Sequence, residues 1–156
     1  MTPSNRLLRK HPAVDENDVW TPGNITQMDA VVAACAMVSH ADGWVSPDER
    51  TRMLDRMRNS PTIAFFGADD ALLMLDALNL SFERDLDEGQ AAAEIAIAQL
   101  RGQPGPSHLL IETACSVARS DGVLDPQERK VIMRLCKVLG VDPASCNLES
   151  ANGGIR

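Results

Sequence analysis

Aromatic side chains are scarce in this sequence of 156 residues, which has two tryptophans, three phenylalanines and no tyrosine. Apolar residues nevertheless make up 44% of the chain, and alanine, leucine and methionine are abundant among them. Unbranched side chains lose little rotamer freedom in a helix, so this composition favours helices over sheets. Because no segment alternates apolar and polar residues over a useful length, the sequence predicts an all-α fold.

Basic residues are outnumbered: 15 lysines and arginines face 22 aspartates and glutamates, which gives a net charge of −7. Proteins that bind nucleic acid need a basic face for the phosphates. The charge therefore disfavours nucleic acid as the main partner, whereas cations and basic proteins fit it better.

Long apolar runs are also missing, since none approaches the roughly 18 residues of a membrane span. The start of the chain, "MTPSNRLLRKHPAV", has basic residues but no apolar stretch after them, so it is not a secretory signal. We therefore expect a soluble, cytoplasmic protein without direct membrane insertion. Nothing in the sequence assigns its oligomeric state.

The four cysteines form no Cys-x-x-Cys pair, which disfavours a zinc ribbon. Cys35, Cys115 and Cys136 each lie among apolar residues of predicted helices, and we interpret them as buried structural thiols.

The order of helical signals predicts a single-domain bundle of about seven helices, built from two pseudo-symmetric helix-turn-helix repeats joined by middle helices. The predicted helical domain spans residues 25–148, and Thr26 with Asp29 has the spacing of a cap for its first helix. Residues 1–24 are predicted to be a flexible leader, from which Trp20 tucks onto the domain, and residues 149–156 a frayed tail.

The repeats share a corner motif, because "HADGWVSPDERTRML" at 40–54 returns as "RSDGVLDPQERKVIM" at 119–133. In one interpretation both copies are well-capped helix corners. Each has a glycine able to end a helix in a left-handed conformation, then an N-cap, a proline at the first helical position and a glutamate that completes a capping box. These residues are Gly43, Ser46, Pro47 and Glu49 in the first copy and Gly122, Asp125, Pro126 and Glu128 in the second.

In the other interpretation the motif binds a divalent cation, because its spacing matches the second half of an EF-hand loop. The first half is missing, so neither copy alone is a regular EF-hand. If the repeats pack about a pseudo-twofold axis, their acids converge on a composite site, joined by two aspartates between the middle helices. The acids are Asp42, Glu49, Asp121, Asp125 and Glu128, joined by Asp85 and Asp87. A solvated acidic face is the alternative.

With "ADGWVSPDER", "SDGVLDPQER", the middle stretch "LSFERDLDEG" and "LGVDPAS" near the end, the chain resembles the tellurite-resistance TerB family over residues 28–148. The resemblance implies an all-helical bundle with internal pseudo-symmetry and a part in tellurite resistance and related chemical or phage stress responses. It also implies membrane-bound and calcium-binding partners of the same system, which would hold the protein at the inner face of the membrane. The family's proposed metal ligands, for calcium or magnesium, carry over to Asp42, Glu49, Asp85, Asp121 and Glu128.

Three hypotheses for function follow. The first is a non-catalytic acidic scaffold or cation-sensing module. The second is a protein-interaction module without metal, in which methionines such as Met53, Met57 and Met133 receive a partner's helix. The third is a thiol-dependent enzyme acting on tellurium oxyanions. It is disfavoured because no histidine has a recognisable spacing to a cysteine. His40 and Trp44 flank only the first corner, an asymmetry that favours this corner as the one to meet a partner; half-buried packing of Trp44 is the alternative.

Overall fold

The structure is a computed structural model that describes residues 20–21, 24–41, 46–118 and 124–146, with only the backbone described at Glu49, Ser145 and Cys146. Within these ranges it has seven α-helices, one 3-10 helix and no strand, which confirms the predicted all-α fold. The α-helices are α1 Ile25–Ser39, α2 Pro47–Arg58, α3 Pro61–Phe66, α4 Ala68–Arg84, α5 Leu86–Ala98, α6 Pro104–Ala118 and α7 Pro126–Leu139, and the 3-10 helix is Pro143–Cys146.

Helix α1 lies at the centre of the bundle, in contact with α4, α5, α6 and α7. Every residue from Ala30 to Val38 is buried, so α1 has no polar face over this stretch. A helix that is apolar all round belongs in a core, and its alanines allow its neighbours to approach closely.

The start of α1 differs from the prediction. The N-cap is Asn24 rather than Thr26: the Gln27 backbone N–H donates to Asn24 Oδ1 at 2.9 Å, and Gln27 Oε1 accepts from the Thr21 N–H at 2.7 Å. Trp20 is only 2% exposed and packs edge-to-face on Phe66, as expected for the tryptophan of the leader. Residues 1–19 of the predicted leader and the tail at 149–156 lie outside the described residues.

The two helix-turn-helix units are α1–α2 and α6–α7. Helix α7 begins with a complete capping box, in which Asp125 Oδ1 accepts from the Glu128 N–H at 2.7 Å and Glu128 Oε1 accepts from the Asp125 N–H at 3.0 Å. It ends at Gly140, whose φ of 72° is left-handed. Gly43 and Gly122 lie outside the described residues. No helix in the ranges given above is long and apolar enough to cross a membrane.

Between these units, α4 and α5 form a hairpin that we call the acidic hairpin, residues 68–98. Its helices pack against each other and against α1. Gly89 allows this close packing, because a Cβ atom there would lie 2.7 Å from Phe82 Cα. The glycine of the middle motif is therefore explained by a helix contact.

Candidate functional site

Three of the six acids predicted to bind metal have described side chains, and each caps a helix. Asp85 Oδ1 accepts from the Asp87 and Glu88 N–H groups at 2.9 and 3.2 Å at the start of α5. Asp125 and Glu128 form the capping box of α7. The N-cap, proline and capping box predicted for the second corner are thus confirmed, since the carboxylates satisfy backbone donors at the start of α7.

The other three acids cannot be placed, because Asp42, Asp121 and the side chain of Glu49 lie outside the described residues. Among the side chains that the structure does describe, no three or more histidines, cysteines, aspartates or glutamates are grouped so as to hold a metal ion. Asp85, Asp125 and Glu128 therefore do not make a cation site by themselves. The composite metal site stays a prediction that depends on the corner residues.

An open groove of about 320 Å³ lies beside the first corner, where α1 ends between the acidic hairpin and α7. One carboxylate, one amide and one imidazole are set in its otherwise apolar wall. The lining residues are Met37, His40, Ala41, Phe82, Leu86, Asp87, Gln90 and Val131. Since Ala41 directly precedes Asp42, the groove places Asp87 near the start of the first motif.

His40 connects the first corner to the acidic hairpin. Its Nε2 lies 2.9 Å from Asn79 Oδ1, and its ring stacks on Phe82 with centroids 4.5 Å apart and planes 3° from parallel. The residue is 9% exposed. Because a carbonyl oxygen only accepts, Nε2 is the donor in this contact. Buried polar groups are costly without partners, so the pair fixes the end of α1 against α4.

Arg50, from the first copy of the motif, adds a second connection between the same parts of the molecule. Its guanidinium lies 3.7 Å from Asp76 Oδ1 and 3.5 Å from Glu83 Oε2, both on α4. These are partly exposed ion pairs, so each contributes little energy and serves mainly to orient α2.

Sequence reasoning missed Asn79 and Phe82 as partners of the first corner. Phe82 lies inside the middle stretch "LSFERDLDEG" and Asn79 lies one residue before it. A buried asparagine on an otherwise apolar helix face was the available signal, because such an amide needs a partner.

The second unit is held by two arginines from outside it, Arg56 on α2 and Arg101 in the turn after α5. Arg56 Nε donates to the Val117 carbonyl near the end of α6. Arg101 Nη1 donates to the Lys137 and Val138 carbonyls at 3.1 and 2.8 Å, where α7 ends. These carbonyls lie in the last turns of α6 and α7, where helix carbonyls need partners from outside the helix, so the two arginines add caps to both helix ends.

A bidentate ion pair joins α5 to α7, with Arg134 Nε and Nη2 each 2.9 Å from an oxygen of Glu94. The hydrogen bonds from Arg134 hold the pKa of Glu94 below its ordinary value, although partial burial acts in the opposite direction. Bidentate geometry makes this the strongest type of ion pair.

The cysteines bear on the enzyme hypothesis. Cys35 is fully buried, and this burial raises the pKa of its thiol to about 12. Cys115 and Cys136 are 4% and 1% exposed, and none of the three forms a disulfide. Their predicted burial is confirmed. A nucleophilic cysteine needs an accessible thiolate, which burial disfavours.

The methionines of the groove hypothesis are also mostly inside the protein. Met53 is 5% exposed and Met57 is fully buried, while Met133 is partly buried against the core. These side chains fill space between helices, so they do not form an exposed groove for a partner.

Negative charge is concentrated in the acidic hairpin. Residues 68–98 contain eight acidic residues and one basic residue, a net charge of −7 that equals the charge of the whole chain. The positive and negative charges elsewhere therefore cancel, and a cationic partner is attracted most strongly to this hairpin.

Comparison with known proteins agrees with the sequence motifs. The family model described as tellurite resistance protein TerB matches residues 28–150. A tellurium resistance protein TerB from an Alcaligenes species is 29% identical over 84 residues, which cover 54% of this chain and 69% of that protein. No solved structure was matched.

Proposed function

Since the chain belongs to the tellurite-resistance TerB family, we propose that it serves tellurite resistance as a non-catalytic acidic module that binds other proteins of the same system. The observation that carries this proposal is the concentration of the whole net charge in one hairpin. Such a surface attracts cationic partners and speeds their association.

The contacts of the first corner support a role in signalling between a bound ion and a partner. His40 and Arg50 join this corner to α4, so a change at the corner has a direct route to the acidic hairpin. In this proposal the partners include a membrane-bound complex, and the chain reaches the cytoplasmic face of the membrane through that complex.

A divalent cation, calcium or magnesium, is the proposed ligand of the corner acids. Asp42, Glu49 and Asp121 would supply three of its carboxylates. Asp85 and Asp125 each accept backbone hydrogen bonds through Oδ1, and their Oδ2 atoms take no part in these caps. Glu128 completes the proposed ligand set. Carboxylate oxygens are the ligands that both cations prefer, and a bound cation would offset repulsion among these acids.

Calorimetry and thermal unfolding of the full chain with calcium, magnesium and manganese test this part. We expect heat and a raised Tm with calcium or magnesium, because an ion that binds only the folded state stabilises it. Replacing Asp42 and Asp121 by asparagine should remove both signals, whereas Glu112→Gln, an exposed acid on α6, should leave them. No heat and no shift at millimolar metal would eliminate the cation from the proposal.

Affinity capture tests the binding role itself. With the full chain as bait in tellurite-treated cells, we expect recovery of proteins of the resistance system, including one from the membrane fraction. The capture is run with calcium and with a chelator. Recovery of the bait alone under both conditions would contradict a scaffold function.

A further inference from the structure

Three large aliphatic side chains of the acidic hairpin are exposed to solvent. Leu73 and Leu80 on α4 are 69% and 63% exposed, and Ile95 on α5 is 66% exposed. Isolated exposed leucines are ordinary, so their arrangement on the helices decides whether they form a surface.

On α4, Leu73 and Leu80 are two turns apart on one face, with exposed Ala77 between them. The opposite face is the one that buries Leu75 and Phe82. Each side of this helix therefore carries an apolar row, one in the core and one in solvent.

Helix α5 likewise has one buried and one exposed apolar row. Ala91, Ile95 and Ala98 are exposed at i, i+4 and i+7, while Ala93 and Ile97 are buried. The longer apolar side chains are on α4, so we call its exposed row the hairpin outer face; it comprises Leu73, Ala77 and Leu80.

Acidic residues flank the hairpin outer face. Some are partly neutralised, since Arg50 lies near Asp76 and Glu83, and Arg84 pairs with Glu88. The hairpin as a whole nevertheless keeps its charge of −7. Asp69 and Asp70, in the first turn of α4, form no ion pair with any residue in the described part of the chain.

We propose that the hairpin outer face binds a basic amphipathic helix of a partner protein, an inference that rests on the proposed binding function and names its surface. The apolar row accepts side chains at i, i+3 or i+4, and i+7 of the partner helix, and the flanking carboxylates attract its lysines and arginines.

Charge also decides against other occupants. A second copy would bring an equally negative hairpin, and anionic lipid head groups would be repelled in the same way. The basic helix α7, with four basic residues and one acidic residue, buries Ile132, Leu135 and Leu139 in its own core. It therefore has no apolar face to offer to the hairpin of a second copy.

The test uses the full chain and two synthetic peptides of 17 residues, the length of α4, made of lysine and leucine. In one peptide the leucines align on a single helix face, and in the other the same residues are scrambled. We expect the aligned peptide to bind at least about tenfold more tightly. In NMR spectra of the full chain, the amides that shift most should belong to α4.

Substitutions then locate the site. Leu73→Gln with Leu80→Gln should weaken binding of the aligned peptide about tenfold or more. Ile25→Gln, an isoleucine 67% exposed at the start of α1, should leave it unchanged. All of these positions are exposed, so the variants should fold, and circular dichroism checks that they do.

Charge variants test the rest of the inference. Asp69→Asn with Asp70→Asn should weaken binding and reduce its salt dependence, whereas Glu112→Gln should not. Equal binding of both peptides, or wild-type affinity of the leucine variant, would overturn the proposed surface. If that variant fails to bind the peptide but captures the same cellular proteins as wild type, the inferred surface is wrong and the binding function stands. If wild type captures nothing, the proposed function itself fails.

Discussion

The two helix-turn-helix units share one motif but are attached to the rest of the protein differently. Beside the first corner, His40 and Arg50 contact α4 of the acidic hairpin through their side chains. In the second unit, Asp125 and Glu128 of the corner bond within their own helix turn, and only the later Arg134 of α7 pairs with Glu94 of the hairpin among the contacts described above. The motif thus specifies a helix corner, while neighbouring residues decide what the corner contacts.

This difference shows that internal symmetry of sequence need not give two equal sites. The groove with Asp87 lies at the first corner, next to the hairpin that carries the net charge. We therefore expect perturbations of the first corner to affect the hairpin and its binding, and perturbations of the second corner to affect mainly stability.

The largest expected loss of stability follows substitution of Gly89, where α4 and α5 of the hairpin pack closely. Gly89→Ala places a Cβ 2.7 Å from Phe82 Cα, and we expect a loss of about 2–3 kcal/mol of unfolding free energy. Denaturant unfolding measures it. Ala91→Gly, at an exposed position of the same helix, is the control and should cost about 1 kcal/mol or less. A Gly89→Ala variant as stable as wild type would contradict the close packing of α4 on α5 at this position.

The next largest expected loss of stability follows removal of the contact between the first corner and α4. Asn79→Ala leaves His40 Nε2 buried without its partner, which should cost about 1–3 kcal/mol. A double-mutant cycle with His40→Ala should give a coupling of about 0.5 kcal/mol or more. Additive effects of the two substitutions would show that the corner is not attached through this pair.

In the second unit, Asp125→Ala removes the N-cap of α7 and should cost about 1 kcal/mol. Thermal unfolding of the variant measures this loss. Peptide binding at the hairpin should keep its wild-type affinity, because the capping box is local to α7. A large loss of binding would mean that the second corner also controls the hairpin.

The smallest effect is the dependence on pH of the ion pair between Glu94 and Arg134. The pKa of Glu94 is lowered in the folded protein, so its stabilising contribution is present above the ordinary glutamate value of about 4.3. That contribution is lost as pH falls through the folded pKa. The unfolding free energies of wild type and Glu94→Gln should therefore differ at pH 7 and converge in acid. A constant difference would show that the ion pair does not cause it.

Local signals made much of the fold predictable. Proline and glycine mark the helix ends, as at Pro61 and Gly140, because they act through the backbone of their own turn. The cap of α1 was predicted wrongly, since Thr26 and Asn24 are both suitable cap residues and packing of Trp20 nearby extends the fold beyond the expected start.

The candidate site was less predictable, because its contacts join distant segments. The bond between His40 and Asn79 spans 39 positions, and no local spacing encodes it. The exposed position of Leu73 was hidden as well, since α4 carries apolar residues on two faces and periodicity alone does not say which faces the core.

Growth on tellurite of cells that depend on this chain tests the central claim most directly. We compare a variant with Asp69, Asp70 and Asp87 replaced by asparagine with a second variant in which all four cysteines are alanine. The account predicts that the asparagine variant folds but loses resistance, while the cysteine variant keeps it. Resistance that survives the loss of the carboxylates and disappears with the thiols would contradict a non-catalytic acidic module.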